Sequence, residues 1–318
     1  MRTLFFGTAA FAIPSLEHLV AQRQQVLLCV TQPDRPQGRG LSRLPSPVKS
    51  AAQRLNLPIE EADTLHQLLP RFQSLQPDLG VVISYGTLIP SQLLRVPTHG
   101  MLGVHPSLLP KYRGASPIAW AMLNAEPTTG VTVFRLNERV DSGDIALQRE
   151  VPIGGRETAV TLSERLARLG AELLLEVVQA LEHGTVAFRP QDDARATYAP
   201  KLTKAQGRVD WQAQAASIDR LVRAMVPWPG AYTEWRGRMV KLWATSWESQ
   251  NQTSSRRPGE VVSVSLDGVV VAAGEGRLVI HELQLAGRRR MTAQEFLAGH
   301  SVRPGEILGS GKGNFENA

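Results

Sequence analysis

Apolar and polar positions follow two rhythms along residues 1–184. The runs TLFFG (3–7), QVLLCVTQ (25–32), DLGVVISYG (78–86) and GMLGVHPS (100–107) are short and nearly continuous in apolar character, as strands buried on both faces are. Between them, PSLEHLVAQR (14–23) and PVKSAAQRLN (47–56) carry apolar residues at helical spacing, each with a proline at its opening, a position the first helical turn accepts. TTGVTVFRLN (128–137) and DIALQREVP (144–152) read as strands on either side of a VDSGD turn. ETAVTLSERLARLGAELLLEVVQALEHG (157–184) is amphipathic along its length and closes on Gly184, which predicts one long helix. Alternation of this kind predicts an α/β domain over 1–184: a doubly wound, mostly parallel, Rossmann-like sheet with helices on both faces.

From 185 to 206 no period persists, and this stretch reads as a linker. RVDWQAQAASIDRLVRAMVP (208–227) is helical in its later part. Beyond it, short alternating runs are broken by RG, DG and EG turn signals, which predicts antiparallel sheet over 207–310, a small OB-like β-barrel. The Gly-rich end, 311–318, reads as a frayed tail.

A length of 318 residues suits two such domains, and 42% hydrophobic with 20% charged residues is ordinary for a globular chain. No apolar run approaches the ~18–20 residues of a membrane span, so no membrane association is expected. The opening MRTLFFGTAAFA is interrupted at Gly7 and Thr8 and reads as a strand, not a signal peptide. Cys29, the single cysteine, permits neither an internal disulfide nor a cysteine cluster for zinc, which suits a reducing cytoplasm. Charge is unevenly placed. Residues 1–200 hold 19 Lys and Arg against 18 Asp and Glu, whereas 201–318 hold 16 against 11. An excess confined to the second domain suits a polyanion-binding surface, although solubility alone would also explain it.

In a doubly wound sheet, ligands collect beyond the carboxyl ends of the strands. After the first strand, GTAAF lacks the second and third glycines of a dinucleotide fingerprint, and no GxxxxGK[ST] loop occurs, so nicotinamide and ATP enzymes are disfavoured. The fourth strand runs into GVHPSLLPKYRG (103–114), where His105 stands directly after the apolar run. A lone histidine is more often structural than catalytic. Here Pro106 and Pro110 stiffen the backbone that follows it, and VDSGD brings Asp141 and Asp144 to the end of another strand. A histidine oriented by a carboxylate makes a general acid/base pair. The plainer role for Asp141 is to form the turn itself.

GVHPSLLPKYRG, VDSGD and the early FFGTAAFA together resemble the folate-dependent formyltransferase family. TQPDRPQGRGLSRLPSPVK (31–49) resembles a loop that its RNA-modifying members insert into this fold. KLTKAQGRVDW (201–211) and VPWPGAY (226–232) resemble the start of their C-terminal domain. The resemblance covers almost the whole chain in order. It implies transfer of a formyl group from 10-formyltetrahydrofolate to the α-amino group of initiator methionyl-tRNA, with no metal and no protein partner. His105 and Asp141 match the family's catalytic pair. Ser107, Leu108, Leu109 and Pro110 match its folate-contacting stretch, and Tyr85 with Gly86 the loop beside the pterin. Such a pair suits the chemistry, because an amine attacking a formyl carbon builds negative charge on oxygen and must shed a proton.

The chain departs from the family at Gly103, where the family carries an Asn whose amide donates to the formyl oxygen. Losing one such donor typically costs ~10²–10³ in turnover. For RNA, the resemblance points to Arg35, Arg39, Arg43 and Lys49 in the inserted loop, and to Arg236, Arg238 and Lys241 in the barrel, with Arg288, Arg289 and Arg290 forming a basic turn. Two other readings stay open: formylation of a small amine, or an RNA-binding relative weakened in catalysis by Gly103. The basic insertion and barrel disfavour the first, and Gly103 favours the second.

Overall fold

A computed structural model describes residues 1–37, 42–249 and 256–309. The chain divides into two compact units: Met1–Pro117, Pro127–Pro152 and Leu162–Pro200 form one, and Ile118–Glu126, Ile153–Thr161 and the chain from Lys201 form the other. The stretch 185–206, read from the sequence as a linker, is thus shared, with 185–200 in the first unit and the remainder in the second.

In chain order, residues 1–200 form β1 (Arg2–Gly7), α1 (Ile13–Ala21), β2 (Gln25–Thr31), a hairpin of β3 (Arg35–Gln37) and β4 (Ser42–Leu44), α2 (Pro47–Arg54), β5 (Ile59–Glu61), α3 (Leu69–Leu75), β6 (Leu79–Ile83), α4 (Ser91–Leu94), β7 (Met101–His105), α5 (Pro117–Leu123), β8 (Thr128–Arg135), β9 (Ile145–Pro152) and α6 (Ala159–Glu182). Seven strands make one sheet in the order β5-β2-β1-β6-β7-β8-β9. The first five run parallel, and β8 and β9 return antiparallel. The strand order reverses between β1 and β6, which opens a crevice at their carboxyl ends. This is the doubly wound sheet that the alternating pattern predicts. Every residue of β7 is buried, which explains its continuous apolar run. The hairpin, β5, α3 and α4 escape periodicity because each is too short to display one.

Two local features set the frame of the crevice. Ser46 caps α2 by accepting from the Lys49 N–H at 3.0 Å. The same hydroxyl lies 2.7 Å from that of Thr31 at the end of β2, which ties the helix start to the strand end. Behind β7, α6 buries one stripe that includes Leu162, Leu166, Gly170, Leu173 and Val177. A Cβ at Gly170 would stand 2.8 Å from Val104 Cγ1, so the glycine lets the helix lie close against the strand that carries His105.

The second unit holds α7 (Ala215–Met225), β10 (Ala231–Trp235), β11 (Arg238–Glu248), β12 (Val261–Ser265), β13 (Gly268–Ala272), β14 (Arg277–Leu285), β15 (Met291–Thr292) and α8 (Ala293–Gly299). These strands pair antiparallel in the order β10-β11-β14-β13-β12, with β15 also on β14. Register shifts in β11 and β12 bend the sheet around Trp211, Val222, Leu242, Val271, Ile280 and Phe296. Residues 305–309 bridge the outer strands: Gly305 N–H donates to the Val261 carbonyl, Leu308 N–H to that of Gly259, and Gly309 N–H to that of Glu234 at 2.8 Å. Where the sequence predicts a small barrel, the strands thus form one antiparallel sheet whose two outer strands are both met by that segment. No helix among the described residues is long and apolar enough to cross a membrane.

Candidate active site

His105, the last residue of β7, is 6% exposed. Its Nε2 lies 2.8 Å from the Tyr112 carbonyl oxygen, which can only accept, so Nε2 carries the proton. Nδ1 is thereby turned towards Asp141, whose Oδ2 stands 3.5 Å away. That oxygen also accepts from the Gly114 N–H at 2.8 Å. In a neutral ring, Nδ1 and the carboxylate are both acceptors and face one another across the gap. An incoming N–H donor satisfies both at once. A candidate acid/base pair expected on separate loops therefore converges.

Asp141 reaches this place from a left-handed backbone, φ +49°, a conformation that costs a non-glycine residue about 1–2 kcal/mol. The turn behind it is tight, since a Cβ at Gly143 would stand 1.7 Å from the Arg135 carbonyl oxygen. VDSGD is thus a strained turn as well as a carboxylate carrier.

The pair opens on a cavity of about 570 Å³ lined by Ala9, Ser84–Ile89, Gly103–Pro106, Gly114, Phe134, Leu136–Asp141 and their neighbours. Exposed Leu88 and Val140 also line it. Of the expected folate-contacting residues, Tyr85 and Gly86 line the cavity. Tyr85 does so from the core: its hydroxyl donates to the Ala62 carbonyl at 3.2 Å. Burial, helped by Asp63, pushes its phenol up to about 12. Ser107, Leu108, Leu109 and Pro110 are not among the lining residues. Ser107 is fully buried, and its hydroxyl donates to the Lys111 carbonyl at 2.6 Å. Leu109 packs on Phe134 and Ile145. Thr132 Oγ1 holds this stretch by donating to the Ser107 carbonyl and accepting from the Leu109 N–H, and Gln148 donates to both Thr132 Oγ1 and the Leu109 carbonyl.

Gly103 pairs with Phe134 across β7 and β8. A Cβ built on it would stand 2.6–2.8 Å from the Phe134 ring and Leu136 Cδ1. The room for a side chain at 103 is therefore filled from the neighbouring strand, which no single-strand pattern reveals. Two other side chains lining the cavity have donors with no partner among the described residues. Ser84, at φ +47°, has its carbonyl pinned by the Thr8 and Ala9 N–H groups while its hydroxyl is unbonded. Asn137 accepts through Oδ1 from the Arg139 N–H and Ser142 Oγ, which leaves its NH₂ unbonded.

The expected RNA-contacting residues differ in their surroundings. Arg35 and Arg43 lie on the paired strands of the hairpin, and Arg39 falls outside the described residues, as does the tail 311–318. Lys49 is held between Asp34 at 2.7 Å and Glu61 at 2.5 Å, and its hydrogen bonds to them raise its pKa above the usual lysine value. Arg236 pairs with Glu306 at 2.7 Å. Lys241 is half-buried against the Pro229 carbonyl at 3.1 Å, and burial, with Lys204 nearby, lowers its pKa. Arg289 pairs with Glu295 at 2.7 Å, and Arg290 pairs with Glu282. Arg238 and Arg288 are exposed and make no side-chain ion pair among the described residues. Trp211 and Trp235 are core, whereas Trp228 and Trp247 are half-exposed. No group of three or more His, Cys, Asp or Glu among the described residues is placed to hold a metal ion.

A doubly wound sheet with a candidate acid/base pair at its strand ends, followed in the chain by a small antiparallel sheet domain, is an arrangement suited to a two-domain group-transfer enzyme. The Formyl transferase family profile matches residues 1–178, and the Formyl transferase, C-terminal domain profile matches 201–301. The chain belongs to the formyl transferase family. It is 42% identical over 308 residues to the methionyl-tRNA formyltransferase of Geobacter metallireducens, covering 96% of this chain and 98% of that one. It is 43% identical over 311 residues to that of Citrifermentans bemidjiense, covering 97% and 96%. Among solved structures, the fold is similar to HypX from Aquifex aeolicus in complex with tetrahydrofolic acid (TM-score 0.67, 20% identity, 93% of this chain and 47% of that one). It is also similar to an N-formyltransferase from Helicobacter canadensis in complex with folinic acid and dTDP-3-aminofucose (TM-score 0.67, 15% identity, 88% and 98%). The chemistry of this chain is one-carbon transfer of a formyl group.

Proposed function

We propose that the protein transfers the formyl group of 10-formyltetrahydrofolate to the α-amino group of initiator methionyl-tRNA in the cytoplasm. One observation carries the reading: His105 Nδ1 and Asp141 Oδ2 face each other as two acceptors at the mouth of a cavity walled by Leu88, Ile89 and Phe134. The folate supplies the activated one-carbon unit. Nδ1 takes the proton that the attacking amine sheds and returns it to the folate nitrogen as the bond from that nitrogen to the formyl carbon breaks, with Asp141 facing the imidazolium in between. Negative charge grows on the formyl oxygen, where the imidazolium, the Ser84 hydroxyl and the Asn137 amide are the available donors in place of a side chain at 103. The apolar wall keeps out the water that would hydrolyse the donor.

The RNA is held by β3, β4 and the cations of the second unit. Arg238 and Arg288 are free to meet phosphate, whereas Lys49 and Arg236 are already paired. Lys49 accordingly supports the hairpin base from within.

A single-turnover assay with 10-formyltetrahydrofolate and methionyl-tRNA tests the reading. Formylated methionine supports it. Product only on small amines transfers the assignment to small-molecule formylation. Binding of RNA with no product favours the weakened relative, the reading that the filled space at Gly103 recommends. His105→Asn is expected to lower kcat by about 10²–10⁴-fold with folding intact, and an unchanged kcat would remove the pair from the mechanism.

A further inference from the structure

Residues 189–199 carry no periodicity, yet they touch both halves of the site. Arg189 and Ile145 exchange backbone hydrogen bonds at 2.8 and 3.0 Å. Further along, Thr197 Oγ1 accepts from the Tyr112 N–H and the Thr197 carbonyl from the Arg113 N–H, while Ala199 N–H donates to the Arg113 carbonyl. The segment therefore runs from the strand after Asp141 to the loop that supplies the Tyr112 carbonyl and the Gly114 N–H.

At its centre stands Gln191. Its Oε1 accepts from Arg113 Nε at 3.1 Å and Nη2 at 2.8 Å. Its Nε2 donates to the Asp141 carbonyl at 2.9 Å and the Gly143 carbonyl at 2.7 Å. Both ends of the amide are saturated, which fixes its orientation: turned over, NH₂ would meet a guanidinium and oxygen would meet two carbonyls. Arg113 is itself 4% exposed, and Asp193 anchors it at 2.7 Å. In the same turn, Gly143 is pressed so closely on the Arg135 carbonyl that no side chain fits there. The left-handed Asp141 is thus held by Gln191 and by the tight turn after it, with its carboxylate 3.5 Å from His105 Nδ1.

We propose that Gln191 is a positioning residue for formyl transfer: it transmits the fixed position of buried Arg113 to the backbone of Asp141 and so sets where that carboxylate stands beside His105. The inference rests on the formyl-transfer reading of the His105–Asp141 pair. Gln191→Glu keeps size and the Arg113 contact, but sets a carboxylate oxygen against two carbonyls. Gln191→Ala removes both contacts. Each is expected to lower kcat by about 10–100-fold, in the range of misplaced second-layer groups, with KM for folate and RNA little changed. In an Asp141→Asn background, the same substitutions should cost nothing further, because the residue they position is already lost.

A second readout needs no substrate. The Gly114 amide proton, donated to Asp141 Oδ2, is followed by NMR of the ¹⁵N-glycine-labelled chain. It should shift upfield and exchange faster in Gln191→Glu. An unmoved Gly114 signal, or a kcat loss of equal size with and without Asp141, overturns the proposal. A Gly114 signal that responds in a protein forming no formylated product supports the positioning role and removes the substrate reading instead.

Discussion

Gly103 and Phe134 are best understood together. A glycine on a fully buried strand leaves a hole unless a neighbour fills it, and the Phe134 ring does so here. Gly103→Asn is therefore expected to lose about 1–3 kcal/mol of stability by overpacking, measured by urea unfolding. Combining it with Phe134→Leu should restore most of that loss. If Gly103→Asn alone unfolds like the parent, the ring is mobile and the two positions are independent. Cys29 offers a separate check on the core of the sheet. Burial pushes its thiol up to about 12, so iodoacetamide at pH 8 should leave it unmodified in the native protein and label it once urea unfolds the chain. Rapid native labelling would place β2 nearer solvent than described.

At the scale of elements, the sheet was legible because its central strands are buried on both faces and announce themselves as apolar runs, and because α6 repeats its stripe over many turns. His105 was legible for the same reason, being the polar residue where such a run stops. What escaped was carried by side-chain hydrogen bonds across the sequence. The Tyr112 carbonyl, Gln191 and Thr132 contribute single contacts to distant loops, and no period marks them. That the Ser107 and Leu109 side chains turn into the core was not legible either, because it depends on contacts with Lys111, Phe134 and Ile145 that no period marks. The base of the hairpin gives a pH test. Hydrogen bonds that Lys49 donates to Asp34 and Glu61 raise its pKa above 10.5, so the stability they lend is whole below that value and is lost as pH rises through the elevated one. Lys49→Met should therefore lower Tm at pH 8, with a gap from the parent that narrows above pH 10.5. A gap that widens with alkalinity would reverse the assignment.

For the whole molecule, pairing leaves the net charge excess as it is but lowers the number of cations open to a ligand, because Glu282, Glu295 and Glu306 each meet an arginine of the second unit. What remains unpaired, Arg238 and Arg288 foremost, predicts a modest number of phosphate contacts. RNA affinity should fall steeply from low to moderate salt while folate affinity stays nearly level. Arg238→Glu should weaken RNA more than Arg236→Glu, since only the former removes a free cation. Equal salt slopes for the two ligands would remove the separate-surface picture.

The segment 305–309 carries a liability of its own. It pairs with Gly259 and Val261 at the edge of β12 and meets β10 at the Glu234 carbonyl, backbone groups that would otherwise face water. A protein shortened before Gly305 should keep its formyl-transfer domain intact and yet self-associate, strand adding to strand, through the seam left open.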